Sequence, residues 1–505
     1  MKKTLSEEFG PIPKVVWETS NKLKEAGFEA YLIGGCVRDI LLGMKPKDWD
    51  FTTNAKPEEI IKVFPETFYE NVYGTVGVVN ETVSDETLKV IEVTPYRLES
   101  EYSDQRRPDK VIFSENLSDD LKRRDFTINA IAIELKDNGG RENYYIGQIV
   151  DPYKGQEDLK NKLLKTVGDP HERFREDGLR LLRAVRFGNY EGFKIEEKTA
   201  VALREESKLL EKISKERIRD EFTKIIMSPH PMRGLELCKK FNILKFISPD
   251  FEKMFGVSQG GVHLYDVWEH SLRSLQYAAD EKWSLEMRLA ALFHDIGKPK
   301  SRREGEKGKK EWTFYGHEVI GAKITEKNLE NLRYPQKVIE KVKKLVRMHM
   351  FFSDTEQITL SAVRRVIAKI GKENIWDLMD LRVCDRKGMG RPKADPYRLR
   401  KYHAMIEEAF RDPVSVGMLK MDGKKLMNIS GEKPGPKIGY VLHALLEEVL
   451  ENPKLNTEEY MERRSLELLK LPEKELEALG EEGKEKKEEA NEEEVKEIRK
   501  LHGVK

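Results

Sequence analysis

The run Tyr31-Leu-Ile-Gly34-Gly35-Cys-Val-Arg38-Asp39, with Asp48-Trp49-Asp50 close behind it, constrains this chain more than any other segment. Tyr31–Ile33 reads as an apolar strand, Gly34-Gly35 as a turn, and the residues up to Gly43 as a short helix. The chain then returns as a strand over Asp48–Thr52. Side chains two apart in a strand share a face, so Asp48 and Asp50 are expected to point the same way, with Trp49 behind them. Such a pair can hold Mg²⁺, which phosphoryl and nucleotidyl transfer use to bridge triphosphate and attacking oxygen. Gly34 and Gly35 let backbone come close to phosphate, and Arg38 offers a fork of donors to its oxygens. Alone, a D-x-D pair is as readily two solvated turn carboxylates; beside G-G-x-V-R-D, the metal reading is the stronger.

The chain has 505 residues and a formal net charge of +1, so the overall balance does not announce a polyanion partner. Its length suits several domains, and its 36% charged residues suit a soluble, helix-rich protein. Three cysteines, Cys36, Cys238 and Cys384, lie far apart with no C-x-x-C, which excludes a disulfide framework or zinc ribbon. No signal core or 18-residue apolar stretch occurs, so the expected location is cytoplasmic, without a membrane partner. The first part mixes a helix, Pro13–Ala26, with strands at 29–33, 48–52, 76–79, 90–93 and 130–134. After about Asp151 the pattern is helical, with apolar residues at three-and-four spacing over 172–190, 197–210, 215–227 and 231–241. The stretch from Leu471 to Lys500 is Glu- and Lys-rich with little apolar content, an exposed helix or a frayed tail.

Glu92, in the apolar run Lys89–Arg97, lies either on an edge strand facing water or beside Asp48 and Asp50 as a third carboxylate. Arg123 and Arg124, before Asp125-Phe-Thr-Ile-Asn129-Ala130, suit a surface ion pair or a phosphate clamp equally. On a helix over 175–187, Asp177, Arg180, Arg183 and Arg186 form a ladder at three-residue spacing, next to the apolar ladder Leu179, Leu182 and Val185. A charged ladder is commonly just a wet face. Here Arg donors and an Asp acceptor can also hydrogen-bond a base edge without a template, while the remaining arginines hold triphosphate.

G-G-C-V-R-D, D-W-D, R-R-D-F-T-I-N-A, E-D-G-L-R and Glu216-Arg-Ile-Arg-Asp-Glu221 stand in the order and spacing of the class II nucleotidyltransferases. The chain thus resembles the bacterial tRNA nucleotidyltransferases (CCA-adding enzymes) and their poly(A) polymerase relatives, closely over about residues 25–250. The resemblance implies an α+β head with a small mixed nucleotidyltransferase sheet, followed by all-α neck, body and tail. It implies that Asp48 and Asp50 bind Mg²⁺; Glu92, read as a third carboxylate beside them, would help the metal activate the attacking hydroxyl. Gly34, Gly35, Arg38, Arg124, Asp177, Arg180, Arg183 and Arg186 fall on the nucleotide-binding positions, and Asp177 with Arg180 would select CTP and then ATP by imitating base pairing. The turn G-G-C-V-R-D, and the segment Glu99–Asp109, which resembles the flexible loop of full CCA adders, favour CCA addition over polyadenylation or partial addition. Gly178 departs from the alanine or proline expected in the helix, costing about 1 kcal/mol of propensity.

Five of the ten histidines fall between His263 and His349. An apolar helix, Leu285–Phe293, ends in His294-Asp295; His270 precedes it, and His317, His349 and Asp385 follow. Imidazole and carboxylate suit Mg²⁺, Mn²⁺, Fe or Ni²⁺ with positions left open to water. This order resembles the HD phosphohydrolases: His270, His294, Asp295 and Asp385 meet its ligand order, and His317 and His349 resemble the extra histidines of two-metal members. Lys298 is placed to hold a phosphate oxygen. In enzymes of this layout the resemblance implies 2′,3′-cyclic phosphodiesterase and phosphatase action. Lys424, Lys425, Lys433 and Lys437 form a basic cluster, either a surface loop or a contact for tRNA backbone.

The expected domains are a head over 1–140, a neck and body with the nucleotide-templating helix over 141–255, an HD domain over 256–390, a tRNA-binding tail over 391–470 and a charged extension over 471–505. The expected partners are tRNA, CTP and ATP. The rival readings are a poly(A) polymerase or partial CCA adder, and an HD phosphohydrolase whose head only binds RNA.

Overall fold

The computed structural model describes residues 12–69, 74–98, 112–136, 145–190, 192–260, 264–305, 312–351, 358–391, 396–413, 415–472 and 475–479. The loop-like segment Glu99–Asp109 and most of the charged extension lie outside them. The chain divides into two compact units: Met1–Ile225 with Arg233–Ile247, and Ile226–Met232 with Ser248–Lys505.

The first unit is built on a seven-stranded sheet. Its strands are β1 (Tyr31–Ile33), β2 (Asp50–Thr53), β3 (Thr67–Tyr69), β4 (Val76–Val79), β5 (Val90–Pro95), β6 (Ala132–Lys136) and β7 (Tyr145–Val150), in the order β3-β4-β5-β2-β1-β6-β7. Most neighbours are antiparallel; β2 and β5 pair in parallel, which makes the sheet mixed. Leu32, Ile33, Phe51, Ile91, Val93 and Ile133 are buried in its core. A fully buried side chain of this size contributes roughly 1.5–3 kcal/mol.

Helix α1 (Lys14–Glu25) precedes the sheet, α2 (Gly35–Leu41) follows β1 directly, and α3 (Pro57–Val63) follows β2. The turn between β1 and α2 needs Gly34, whose φ of +78° lies where a side chain is strained. Two sequence expectations fail in detail. β2 begins at Asp50, so Asp48 lies in the bend before the strand rather than two places along it. The helix expected over 172–190 is two helices, α4 (Pro170–Glu176) and α5 (Arg180–Gly188). Asp177 between them is extended, at φ −146° and ψ 105°. Gly178 is in this turn, not in a helix interior. A Cβ there would lie 3.0 Å from the Leu209 Cβ and 3.1 Å from its carbonyl oxygen, so glycine permits a close approach rather than loosening a helix.

A buried polar chain ties the sheet to α5. Arg38 on α2 donates from Nε and Nη2 to Asp39 Oδ1, at 3.0 and 2.7 Å, and from Nη1 to Asn129 Oδ1 at 2.9 Å. Asn129 Nδ2 donates to Asp125 Oδ1 at 3.0 Å, and Arg183 Nε donates to Asp125 Oδ2 at 2.7 Å. The Arg38 guanidinium lies 5.2 Å from the Phe187 ring centre and 5.5 Å from that of Tyr190. Buried polar groups are tolerable only when satisfied, and here each link satisfies the next.

The second unit is helical apart from one short strand pair, Arg303–Glu304 with Trp312–Thr313, among the described residues. Its core holds Trp268, Leu272, Leu275, Phe293, Val342 and Leu345. Helices α6 (Val267–Asp280), α7 (Leu285–Phe293), α8 (His317–Asn331), α9 (Gln336–Met348) and α10 (Ile375–Gly388) carry or lead directly into His270, His294, Asp295, His317, His349 and Asp385. No helix among the described residues is long and apolar enough to cross a membrane.

Burial alone would raise the Asp125 carboxyl, but Arg183, Asn129 and Arg180 outweigh it and hold it at about 2. A carboxyl lowered by folding stabilises above its ordinary value of about 4, and that contribution fades as pH falls toward 2. Asp125→Asn is therefore expected to cost roughly 2–3 kcal/mol at pH 7, below the figure for a fully buried pair because Arg183 is partly solvated. Unfolding followed across pH should show the gap between wild type and variant closing between about pH 4 and 2.

Candidate functional site

In the first unit, the Gly34–Gly35 turn brings the predicted carboxylates together. A Cβ on Gly34 would lie 3.5 Å from Asp50 Oδ2 and 3.2 Å from Arg124 Nη1, and one on Gly35 would lie 3.5 Å from Asp48 Oδ1. Asp48 is exposed and Asp50 half-buried, while Trp49 is buried between them. The aspartates thus meet at the turn although only Asp50 is in the ladder.

Glu92 pairs in register with Asp50 on one side and with Gly77 of β4 on the other. Its strand is interior, which overturns the edge-strand reading. Ile91 and Val93 face the core, so Glu92 takes the other face, beside Asp50. Two carboxylates at a glycine turn, with a third beside Asp50 on the sheet, are the hard oxygen donors that Mg²⁺ prefers, and the bare backbone leaves the room that a Cβ would fill. Cys36 is no nucleophile: burial first, then Asp50, pushes its thiol up to about 12.

The arginines are less free than their spacing suggests. Arg38, expected to fork onto phosphate, is turned inward with only 7% of its surface exposed; the donors its sequence position offers go to Asp39 and Asn129. Arg124 pairs with Asp120 at 3.1 Å while its Nη1 borders the Gly34 turn. Arg180 binds Glu176 and the carbonyls of Arg173 and Arg123. Arg183 pairs with Asp125 and Arg186 with Glu221, each Nε–O distance being 2.7 Å. Asp177 accepts both arms of Arg217, at 3.2 and 2.7 Å. Sequence reasoning missed Asp39, Asp125, Asn129, Arg217 and Glu221 as parts of this site. All lie in motifs quoted above; Asp39 neighbours its partner Arg38, but each of the others has a partner distant in sequence.

In the second unit, six buried ligands converge. His270, His294 and Asp385 form one group, and Asp295, His317 and His349 another, with the ligand atoms of each group lying within 4.8 Å of one another. Asp295 joins them: its Oδ2 is 3.2 Å from His270 Nε2 and 3.3 Å from His294 Nε2, and its Oδ1 is 3.3 Å from His317 Nε2.

His294, His317 and His349 each donate Nδ1–H to a carbonyl three residues back, at 2.8, 2.7 and 2.7 Å. A carbonyl can only accept, so in the neutral ring, the form that ligates a metal, each Nε2 carries a lone pair turned inward. Yet His317 Nε2 and His349 Nε2 stand 3.2 Å apart. Two lone pairs at that distance call for a cation, so the donor set fits divalent metal with its orienting hydrogen bonds in place. Charge agrees. Asp295 and Asp385 are held below the usual carboxylate range despite burial, and burial with His317 and His294 keeps His349 neutral. Against the pull of burial, Asp295 and Asp385 push His270 up to about 9. Lys298, expected at a phosphate oxygen, is instead bound to Asp295 Oδ2 and Gln259 Oε1, both at 2.6 Å.

The tail lysines divide. Lys424 and Lys425 lie on a helix, Gly423–Ser430, rather than in a loop. Lys425 pairs with Glu462 at 3.1 Å and Lys437 with Glu432 at 2.8 Å. Such exposed pairs are weak and leave the cluster open to a stronger anion.

A nucleotidyltransferase-type head with a helical body and an HD domain is the class that this fold and these sites define. The family models agree: "Poly A polymerase head domain" matches residues 30–165, "Probable RNA and SrmB-binding site of polymerase A" 192–255, and "HD domain" 267–386. The CCA-adding enzyme of Ligilactobacillus salivarius is 32% identical over 450 residues, 89% of this chain and 95% of that protein. That of Lactobacillus helveticus is 46% identical over 230 residues, but the match spans only 53% of that protein. The structure of the Bacillus stearothermophilus CCA-adding enzyme in complex with CTP aligns at a TM-score of 0.65 and 26% identity, covering 90% of this chain and 98% of that one. The Thermotoga maritima enzyme complexed with tRNA, at 18% identity and TM-score 0.52, shares the fold. This chain belongs to the CCA-adding enzyme family.

The bridging place of Asp295 makes a prediction. Metal analysis of the purified protein is expected to find two divalent ions per chain at the histidine cluster. Asp295→Asn should lose both and Asp385→Asn only one; equal losses from the two variants would contradict the bridge.

Proposed function

We propose that this protein adds C, C and A to the 3′ end of tRNA without a template, using CTP and ATP with Mg²⁺. What supports the reading is the approach of Asp48 and Asp50 to a glycine turn, with Glu92 in register beside Asp50, in one compact unit with the arginine helix α5. The full-length likeness to a CCA-adding enzyme and the CTP bound to the Bacillus relative support it.

Asp48 and Asp50 would hold Mg²⁺, which when bound neutralises triphosphate charge and lowers the cost of ionising the attacking hydroxyl. Glu92, on the same face, supports Asp50 and helps take the proton of the terminal hydroxyl. Gly34 and Gly35 leave backbone exposed to phosphate, and Arg124 borders it. Arg38 acts from behind, fixing the turn. Asp177 and Arg180 read the base edge, while Arg183 and Arg186 keep the helix in register and add positive potential. The tail lysines contact tRNA backbone in a salt-dependent way.

The second unit supports a second activity, hydrolysis of a phosphodiester or phosphomonoester such as a 2′,3′-cyclic phosphate at a damaged tRNA end. Its observation is the convergence of buried histidine lone pairs on Asp295. His270, His294, Asp295, His317, His349 and Asp385 would hold Mg²⁺ or a transition metal, whose chemistry when bound is to activate water.

The two activities should separate. Asp48→Ala is expected to abolish nucleotide incorporation into CCA-less tRNA, by about a thousandfold or more, and to spare hydrolysis of a 2′,3′-cyclic nucleotide. His294→Ala should do the reverse. Incorporation that survives Asp48→Ala would refute the head as the polymerising centre.

A further inference from the structure

We infer that Arg217 is a specificity-determining positioning residue, acting through Asp177 on which bases the site accepts. This rests on the base-reading role proposed for Asp177 and Arg180. Arg217 stands on the helix Lys215–Ile226 and grips both oxygens of Asp177: Nη1 donates to Oδ1 at 3.2 Å and Nη2 to Oδ2 at 2.7 Å. The Leu179 N–H donates to Oδ1 at 3.0 Å. Asp177 sits in the extended link between α4 and α5, so no helix fixes its side chain. Donors from two elements do so instead, and they set the plane of the carboxylate.

A carboxylate has about four acceptor positions. Among the described residues, two are used on Oδ1 and one on Oδ2, which leaves an acceptor on Oδ2 for a ligand. On their pairing edges cytosine and adenine present an amino donor beside a ring-nitrogen acceptor. Uracil and guanine present a carbonyl beside a ring N–H. A fixed acceptor at Asp177 with a donor at Arg180 complements the first two and opposes the others.

That discrimination lasts only while Asp177 stays an acceptor. With Arg217 in place, turning the carboxylate out of its plane would forfeit a charge-assisted fork. Without it, the Leu179 N–H alone holds the carboxylate. The group can then rotate, and its acceptor no longer stands fixed against the amino group of cytosine or adenine. Arg217 therefore selects against uracil and guanine and takes no part in the bond-forming step.

The test is kcat/KM for CTP, ATP, UTP and GTP on CCA-less tRNA, with the full chain as wild type, Arg217→Gln, Arg217→Lys and Asp177→Ala. Arg217 keeps 32% of its side chain exposed, so its substitution is not a core change. Arg217→Gln is expected to raise UTP use relative to CTP about tenfold, mainly through a higher KM for CTP, with Arg217→Lys between it and wild type. A merely structural brace would lower kcat for CTP and ATP alike and leave the UTP/CTP ratio unchanged, and that result overturns the inference. If Asp177→Ala moves the ratio but Arg217→Gln does not, this inference fails and the base-reading role stands. If Asp177→Ala leaves the ratio unmoved, the base-reading role fails and takes this inference with it.

Discussion

The chain of hydrogen bonds Asp39–Arg38–Asn129–Asp125–Arg183 is the constraint on which the first unit depends. It starts on the helix that follows the glycine turn and ends on α5. Four of its members keep less than a tenth of their surface exposed. An unmatched charge there would be costly, so the links hold together or fail together. Phe187 adds an apolar pivot: the guanidinium groups of Arg38, Arg183 and Arg186 lie 5.2, 5.5 and 4.1 Å from its ring centre. Cations over an aromatic face gain attraction without needing a hydrogen-bond acceptor. The glycine turn and the arginine helix are thereby parts of one body, as the base-reading role proposed for that helix requires.

The second unit solves a different problem. Four histidines and two aspartates are buried together, and backbone carbonyls set three of the imidazoles so that their lone pairs converge. Lys298, itself braced by Gln259, holds Asp295 from outside, and Arg382 holds Asp385, at 2.7 Å from its Oδ2. The head gathers hard oxygen donors at an open turn; this cluster gathers mostly nitrogen donors in a closed core. The two donor sets favour different ions and different chemistry.

Much of this was legible in the chain itself. The strand–turn–helix at Tyr31–Leu41 follows from an apolar run and two glycines, and the histidine cluster from a concentration of one ligand type. What failed did so for tertiary reasons. Period-two reasoning places Asp48 in a strand, but the ladder begins only at Asp50, where β5 supplies partners. Three-residue spacing runs unbroken through Asp177, but the helix breaks at Asp177–Gly178, where the chain packs closely on Leu209. Spacing alone could not reveal that Asp125, Glu221 and Arg217, 58, 35 and 40 residues from Arg183, Arg186 and Asp177, claim the polar face. A basic stripe in sequence is a set of ion pairs in the fold.

Sequencing the 3′ ends of a CCA-less tRNA after incubation with the purified protein, CTP, ATP and Mg²⁺ tests the central claim most directly. If the carboxylates at and beside the glycine turn act with an arginine helix in place of a template, the ends read CCA and extension stops. Ends that remain bare, or that carry an A tail without preceding C residues, would contradict it.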